Sequence, residues 1–584
     1  MQQPRSGTLT TEPLECCASE ARAPGTASCR RPVPSALDRL GSLVRQAAGT
    51  GIDTSIGVMF NHTLWGRDRS ITALDVIGSR PELARQTVLA LAERQGRERR
   101  FRSEEEPGRI HSEYRDLVRW QAPWLLKAAF RLAVSPLWGG GLRDYTTYFA
   151  ADSTPLYVIL VCRYASVDPA ILHESVRRWG RPDVTVWDTV IAACEWLLSH
   201  MNGHGLICVP KRNPLSLPSQ VWRDSPTSNL DEHNLMLAIL GEVEYLDVQF
   251  LAHEAFVELS ALIAGMESAA AAPPRLADRV QAAAERIRDA TLSVFWMGEE
   301  RYFAFARDRD AGGRPRLVRA VQSNAGWMLD SPMFDALPEA DRRKYVEGIV
   351  LRLFADDMLT AAGIRGRSLQ HAQPAFRNYH ENVWPVDTLK IARGLRRQGL
   401  GELAGELERR MLNTLNALGA FYEFVVVDGQ GRIVDPAARA TGFGRDHRAM
   451  PLPSEMPPEV DIAWSVTGVL RSKAERGAGS RRGRQAAEQP GWVDELSSQV
   501  LSRISRTPEG RTSEDAARCA PPMSPCRLDL PTGIRRSTLL VLRQGVCGEL
   551  PRHYARELRR SFSARWEEST PKRFSPPPEV PRHA

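Results

Sequence analysis

Two carboxylates stand out by the residues around them. Asp224 sits in Trp222-Arg223-Asp224-Ser225, and Glu423 in Phe421-Tyr422-Glu423-Phe424, 199 positions further along. Hydrolysis of a glycosidic bond by an acid/base pair needs two such groups. One carboxyl protonates the leaving oxygen while the other activates water on the opposite face of the sugar. The acid must keep its proton near neutral pH, which burial against an indole favours and an inward-pointing Arg223 would oppose. Arg223 is therefore expected to turn away or to bind substrate. The chain holds 70 Asp+Glu, so separation alone identifies no pair; the motifs must do it. The plainer reading of Glu423 is a surface glutamate on a hairpin.

Other stretches carry groups suited to holding a sugar. In Trp65-Gly66-Arg67-Asp68 the carboxylate can accept hydrogen bonds from two adjacent hydroxyls and the indole can stack on an apolar sugar face; the alternative is a helix start with a structural Arg–Asp pair. Pro107 to Glu113 contains His111 and Glu113, a spacing that could suggest a metal but has no third ligand nearby, so a pocket wall is expected. Asp152, in Ala151-Asp152-Ser153-Thr154-Pro155, is either a rival for the acid or a helix cap. Glu242, in Ile239 to Glu244, faces either the pocket or solvent.

The elements that must position these groups read as mainly helical. In Asp183–Leu198 the apolar residues Trp187, Val190, Ile191, Cys194, Leu197 and Leu198 share one face, with Asp183 placed to cap the start. Leu235–Ile263 is apolar on more than one face and is expected to be one buried helix. Glu82–Glu93, Trp124–Ala133, Arg343–Phe354, Asp387–Arg396 and Leu403–Leu418 are further helices, and Phe424–Val427 before Asp428-Gly429 suggests a hairpin. The expected organisation is an N-terminal extension over 1–36, an all-α domain over 37–472, and a basic extension of low order over 473–584.

Composition narrows the function classes. A hydrophobic content of 42% with 14 Trp is ample for a core. No run of 18 apolar residues occurs, so no membrane partner is expected, and a cytoplasmic location is expected from an N-terminus without a leader pattern. The net charge of +7 belongs to the tail: residues 471–584 carry 22 Lys+Arg against 13 Asp+Glu. The remainder is slightly acidic, so the core is not expected to bind nucleic acid. Cys162, Cys194 and Cys208 have no CxxC spacing and are expected to be reduced. Phosphate-loop, HExxH and GxSxG patterns are absent.

Taken in order, the motifs resemble those of the amylo-α-1,6-glucosidase (glycogen-debranching) type of glycoside hydrolase, with trehalases and processing α-glucosidases as more distant relatives. Trp65 to Asp68 is similar to that family's WxRD, Pro107 to Glu113 to PGKIxHE, Phe149 to Leu156 to SVDATPLF, and Val221 to Ser225 to GWKDS. Gln322 to Gly326 is similar to SNAGH, with Trp327 in place of the His; Gly363 to Arg365 and Tyr379 to Pro385, which include His380 and Trp384, resemble GIRT and YHNGSVWPHD; Glu423 and Asp461 to Ser465 resemble a PEL glutamate before QAWS. The resemblance covers roughly 55–470. It implies an (α/α)6 barrel, Asp224 as acid, Glu423 as base, inversion, and an oligosaccharide or α-glucan substrate. Trp65, Arg67, Asp68, His111, Glu113, Asp152, Trp222, Glu242, His380 and Trp384 would line the sugar site, with no cofactor or metal. Glu381 is unusual for that family, and neither its N-terminal β-sandwich nor its glucanotransferase domain is recognised here. A trehalase-like hydrolase of a small glucoside, or a barrel that binds carbohydrate without turnover, are the alternatives.

Overall fold

The structure is a computed structural model. It describes residues 35–47, 49–55, 57, 60–177, 182–217, 219–224, 229–233, 237, 241–266, 275–310, 313–371, 382–433, 458–482 and 490–506. The helices in chain order are α1 (Ala36–Ala47), α2 (Gly66–Val76), α3 (Pro81–Glu93), α4 (Trp124–Ala129), α5 (Ser135–Leu137), α6 (Ser153–Ala165), α7 (Val186–Ser199), α8 (Leu246–Gly265), α9 (Leu276–Val294), α10 (Glu339–Leu353), α11 (Pro385–Arg397), α12 (Gly401–Leu418), α13 (Ala463–Arg482) and α14 (Gly491–Arg506), with a 3-10 helix at Ser323–Asp330. Strands are short. β1 (Thr63–Trp65), β2 (Glu113–Asp116) and β3 (Asp144–Thr147) form one antiparallel sheet; β4 (Ser175–Val176) and β5 (Val184–Thr185) pair, as do β7 (Trp296–Met297) and β8 (Tyr302–Phe303); β6 (Glu244–Tyr245), β9 (Ala306–Arg309) and β10 (Pro315–Val318) make the last sheet.

Six helical segments pack as a ring: α2 on α6, α6 on α8, α8 on the 3-10 helix, that helix on α11, α11 on α13, and α13 back on α2. Their sequences explain the placement. Every residue of α6 except Arg163 is buried, and a helix apolar on all sides is stable only inside a core. α8 is the described helix long and apolar enough to cross a membrane; here it lies between α6 and α9. α3, α7, α9, α10 and α12 pack outside the ring segments and expose polar faces.

The ring segments run in the same direction. Their first turns touch in sequence through Arg67–Asp152, Asn324–Asp247, Ser323–Asp387 and Trp384–Trp464. Seven to ten residues further along each segment, about 12 Å down the axis, a second layer of ions fills the bore. Arg393 bridges Asp75 (2.5 Å) and Asp330 (3.3 Å), Lys390 lies 3.5 Å from Asp330, Arg471 3.5 Å from Asp75, and Arg163 2.5 Å from Glu254. The space left among them holds about one water molecule.

Several boundaries differ from the sequence reading. The helix expected from Leu235 begins at Leu246, because Gly241 takes φ 106° and Glu244–Tyr245 pairs with β9. Thr185 rather than Asp183 caps α7, in a capping box with Asp188. The end expected at 472 falls inside α13, and α14 follows. Trp492, Val493, Leu496, Val500 and Ile504 of α14 are buried in the main core, against α10 and α12.

Candidate active site

The first turns of the ring segments gather acids at one end. β1 runs directly into α2, so Trp65 occupies the N-cap position in an extended conformation. The sheet fixes its register: Trp65 stands opposite Glu113, and Glu113 opposite Thr147. Gly66 must be glycine, because a Cβ there would lie 2.1 Å from the His111 carbonyl oxygen. Gly66→Ala is expected to push α2 off β2 and cost about 2 kcal/mol or more, read as a lowered midpoint in chemical denaturation; an unchanged midpoint would refute the close contact.

Arg67 joins three of the acids. Its Nε donates to Asp152 Oδ2 at 2.7 Å, and its Nη1 lies 3.7 Å from Asp224 Oδ2. Asp152 sits at the N-cap of α6, yet its side chain makes no cap bond; it turns to Arg67. Ala151 N–H donates to the Gln220 carbonyl at 2.7 Å, which holds the 220–224 segment beside the start of α6. Asp224 is thereby brought beside Arg67 while its side chain stays 30% exposed. Burial raises the Asp152 carboxyl, against the pull of Arg67. Asp68 is buried beneath them. Burial pushes its pKa up to about 7, with Arg67 opposing and Asp224 and Asp152 adding to the rise.

Glu423 reaches the same end from the loop between α12 and α13. Its N–H donates to the Glu459 carbonyl at 2.8 Å, and Glu459 N–H donates to Glu423 Oε2 at 3.2 Å. Ser465 of α13 fixes the preceding carbonyl, of Tyr422, at 2.8 Å. Glu423 is half-buried. Burial raises its pKa to about 8, and the negative charges of Glu459, Asp224 and Asp68 push in the same direction. Two carboxyls 199 positions apart are thus near enough for the charge of Asp224 to bear on Glu423.

Aromatic rings form the wall beside them. Trp222 stacks on Trp327 (5.7 Å, 8°) and meets Trp384 edge-on (5.4 Å), and Trp384 also packs on Phe424 (5.3 Å). Arg223 turns away from Asp224. Its guanidinium lies over the Trp222 ring at 4.0 Å, donates to Ser323 Oγ at 2.5 Å, and stands 3.7 Å from Asp387. Asp387 also accepts from Trp327 Nε1 at 2.6 Å. Trp327, the departure from the SNAGH pattern, is thus part of the support for Trp222.

Not every expected residue joins the cluster. His111 is fully buried, neither ring nitrogen has a protein partner, and burial with Arg94 and Arg69 lowers its pKa to about 3. Glu113 is committed to Arg115 and to the Tyr145 hydroxyl, each at 2.7 Å. Glu242 is exposed and ion-paired with Arg309 at 2.6 Å. It lies before β6 rather than on a helix, so the solvent-facing reading holds. His380 lies outside the described residues. Conversely, Asp247, buried with its pKa raised to about 6 by burial and hydrogen-bonded by Asn324 at 2.9 Å, and Glu459 belong to the site but were not singled out in the sequence. Asp247 stands in the first turn of α8, the position that Asp68 has in α2; that parallel was the available signal. Among the described residues no three His, Cys, Asp or Glu are grouped to hold a metal ion.

No family model matches this chain, and no curated protein matches it. The solved structures it is similar to include glycoside hydrolases. The GH63 mannosylglycerate hydrolase from Thermus thermophilus in complex with Tris is 15% identical, with TM-score 0.47, covering 75% of this chain and 100% of that one. A single-residue variant described only as a glycosidase is 14% identical, with TM-score 0.44, covering 76% and 96%. The rhamnosidase from Klebsiella oxytoca with rhamnose bound is 15% identical, with TM-score 0.42, covering 75% and 64%. At these scores the functional argument rests on the site itself.

Proposed function

We propose that the chain is an (α/α)6-barrel glycoside hydrolase that cleaves an α-glucosidic bond with an acid/base carboxyl pair. The closed order of packed ring segments supports the barrel. The observation that carries the activity is the gathering of acids at the first turns of the segments: Arg67 pairs with Asp152 and Asp224, and the charges of Asp224 and Asp68 bear on Glu423. Arg67, Asp68 and Asp152 would hold the hydroxyls of the sugar and Trp65 its apolar face, with the buried Trp222 and Trp384 packed behind as support. Asp224, whose side chain stays 30% exposed, would protonate the leaving oxygen. Glu423 would deprotonate water: a base works best with a pKa near the operating pH, and burial, aided by the neighbouring acids, gives it one of about 8. Inversion would need the carboxyls about 6.5–9.5 Å apart.

One observation favours a second reading in which the roles are exchanged. Asp224 is ion-paired with Arg67, and Glu423 is the group that holds a proton at neutral pH. Purified protein incubated with glycogen limit dextrin, trehalose, maltose and a nitrophenyl α-glucoside tests both. Release of glucose from one of them supports the proposal, and no release from any sinks it. A good leaving group needs no acid, so the variant that keeps turnover of the nitrophenyl substrate identifies the acid: Asp224→Asn in the first reading, Glu423→Gln in the second. For the first reading, kcat/KM should climb as pH rises toward about 8, while Glu423 loses its proton.

A further inference from the structure

The strands β2 and β3 are joined by residues 117–143, an insertion with a small core of its own: Leu117 and Trp120 pack with Tyr145, and Leu126, Phe130 and Trp138 lie against them. α4, a π turn at Phe130–Val134 and α5 make up its helical part. That helical part has a second apolar face. Leu125, Ala129, Leu132 and Ala133, at helical spacing, point into solvent with Trp124 beside them; Trp124 is 75% and Leu132 73% exposed. The segment's two charges are both turned inward, Lys127 to the carbonyls of Val118 and Trp120 and Arg131 to that of Leu117. Val118, Leu137 and Leu142 of the insertion are exposed too. Exposed Phe101 and Leu215 extend the patch, since Arg102 donates to the Pro136 carbonyl and Trp138 to that of Leu215. Among the described residues, this region holds eight of the ten large hydrophobic side chains exposed to solvent.

We propose that this face is an isologous interface with a second copy of the chain, the helical segments of two insertions packing across a two-fold axis. A helix apolar on both faces is stable only with both covered, and monomers seldom expose apolar patches of more than a few hundred Å². The exposed side chains offer roughly 800 Å² or more, the share of one partner in a standard interface. Because the helical segment's own two charges are turned inward, its apolar face can meet its own copy without repulsion, with the arginines beside Phe101 and Val118 left at the rim.

The test is sedimentation and light scattering of the full chain at micromolar concentration. The expected mass is twice the 65.1 kDa of the chain, falling to a single chain in Trp124→Glu and in Leu132→Glu, with circular dichroism unchanged. If both substitutions unfold the protein, Leu132→Cys takes their place: a bis-maleimide should link two copies through position 132. A monomeric wild type, a dimer untouched by either folded Glu variant, or no cross-link would overturn the proposal. So would binding of monomeric wild type to neutral or anionic lipid vesicles through this face, abolished by Leu132→Glu.

Discussion

Glu423→Gln is expected to lose hydrolysis of natural substrates by about 10²–10⁴-fold and yet to melt higher than wild type at pH 8. The two effects have one cause. In the folded chain burial, joined by the charges of Glu459, Asp224 and Asp68, lifts the Glu423 pKa to about 8 against 4.5 for an ordinary glutamate. Asp68 is raised to about 7 from 3.8. A carboxyl whose folded pKa is raised contributes stability below its unfolded pKa, and that contribution drains away as pH climbs to the folded value. Wild type should therefore lose stability between about pH 4 and pH 8. Glutamine keeps the shape without the charge, so the variant should be the more stable by on the order of 1–2 kcal/mol at pH 8, a figure reduced for the solvent that reaches Glu423. Thermal melts at pH 5 and pH 8 give the measurement. Equal slopes for wild type and variant would mean that Glu423 does not stand among those charges.

Arg67→Met should act in the opposite direction on stability. It leaves Asp152 buried without the guanidinium at 2.7 Å, and Asp68 and Asp224 without their nearest positive charge. Removing one side of a buried pair costs about 3–5 kcal/mol because the other side stays behind uncompensated. Lowering the pH should recover part of the loss as the acids take up protons, and Arg67→Met/Asp152→Asn should be more stable than Arg67→Met alone. If the single variant unfolds at the same denaturant concentration as wild type at pH 7, Arg67 is not the charge that balances this cluster. Catalysis should drop with it, since the same guanidinium stands between Asp152 and Asp224.

Much of this arrangement could be read from sequence, for physical reasons that differ by element. Helices such as α3, α7, α11 and α12 declare themselves by apolar spacing over three turns or more. Three of the motifs were visible because they join an acid or aromatic to a helix start: Trp65 to Asp68 at α2, Asp152 at α6, Trp384 at α11. What the sequence hid depended on partners far along the chain. The strand at Glu244–Tyr245 exists because β9 lies beside it, so the apolar run from Leu235 looked like helix. Trp492 to Ile504 has helical spacing, yet the Arg- and Ser-rich residues around it obscured a segment that the core between α10 and α12 recruits. Glu242 sits near a family-like motif but faces Arg309 at the surface, a choice that no local pattern encodes. Glu459 meets Glu423 through two bonds between loops 36 residues apart, Glu423 N–H to the Glu459 carbonyl and Glu459 N–H to the Glu423 carboxylate.

The ionic layer between the ring segments has a consequence for how the chain can vary. Asp75, Arg163, Glu254, Asp330, Lys390, Arg393 and Arg471 come from six different segments and meet as interlocking pairs. A change at one of them strands a neighbour's charge away from water. Substitutions there should be tolerated in matched sets rather than singly.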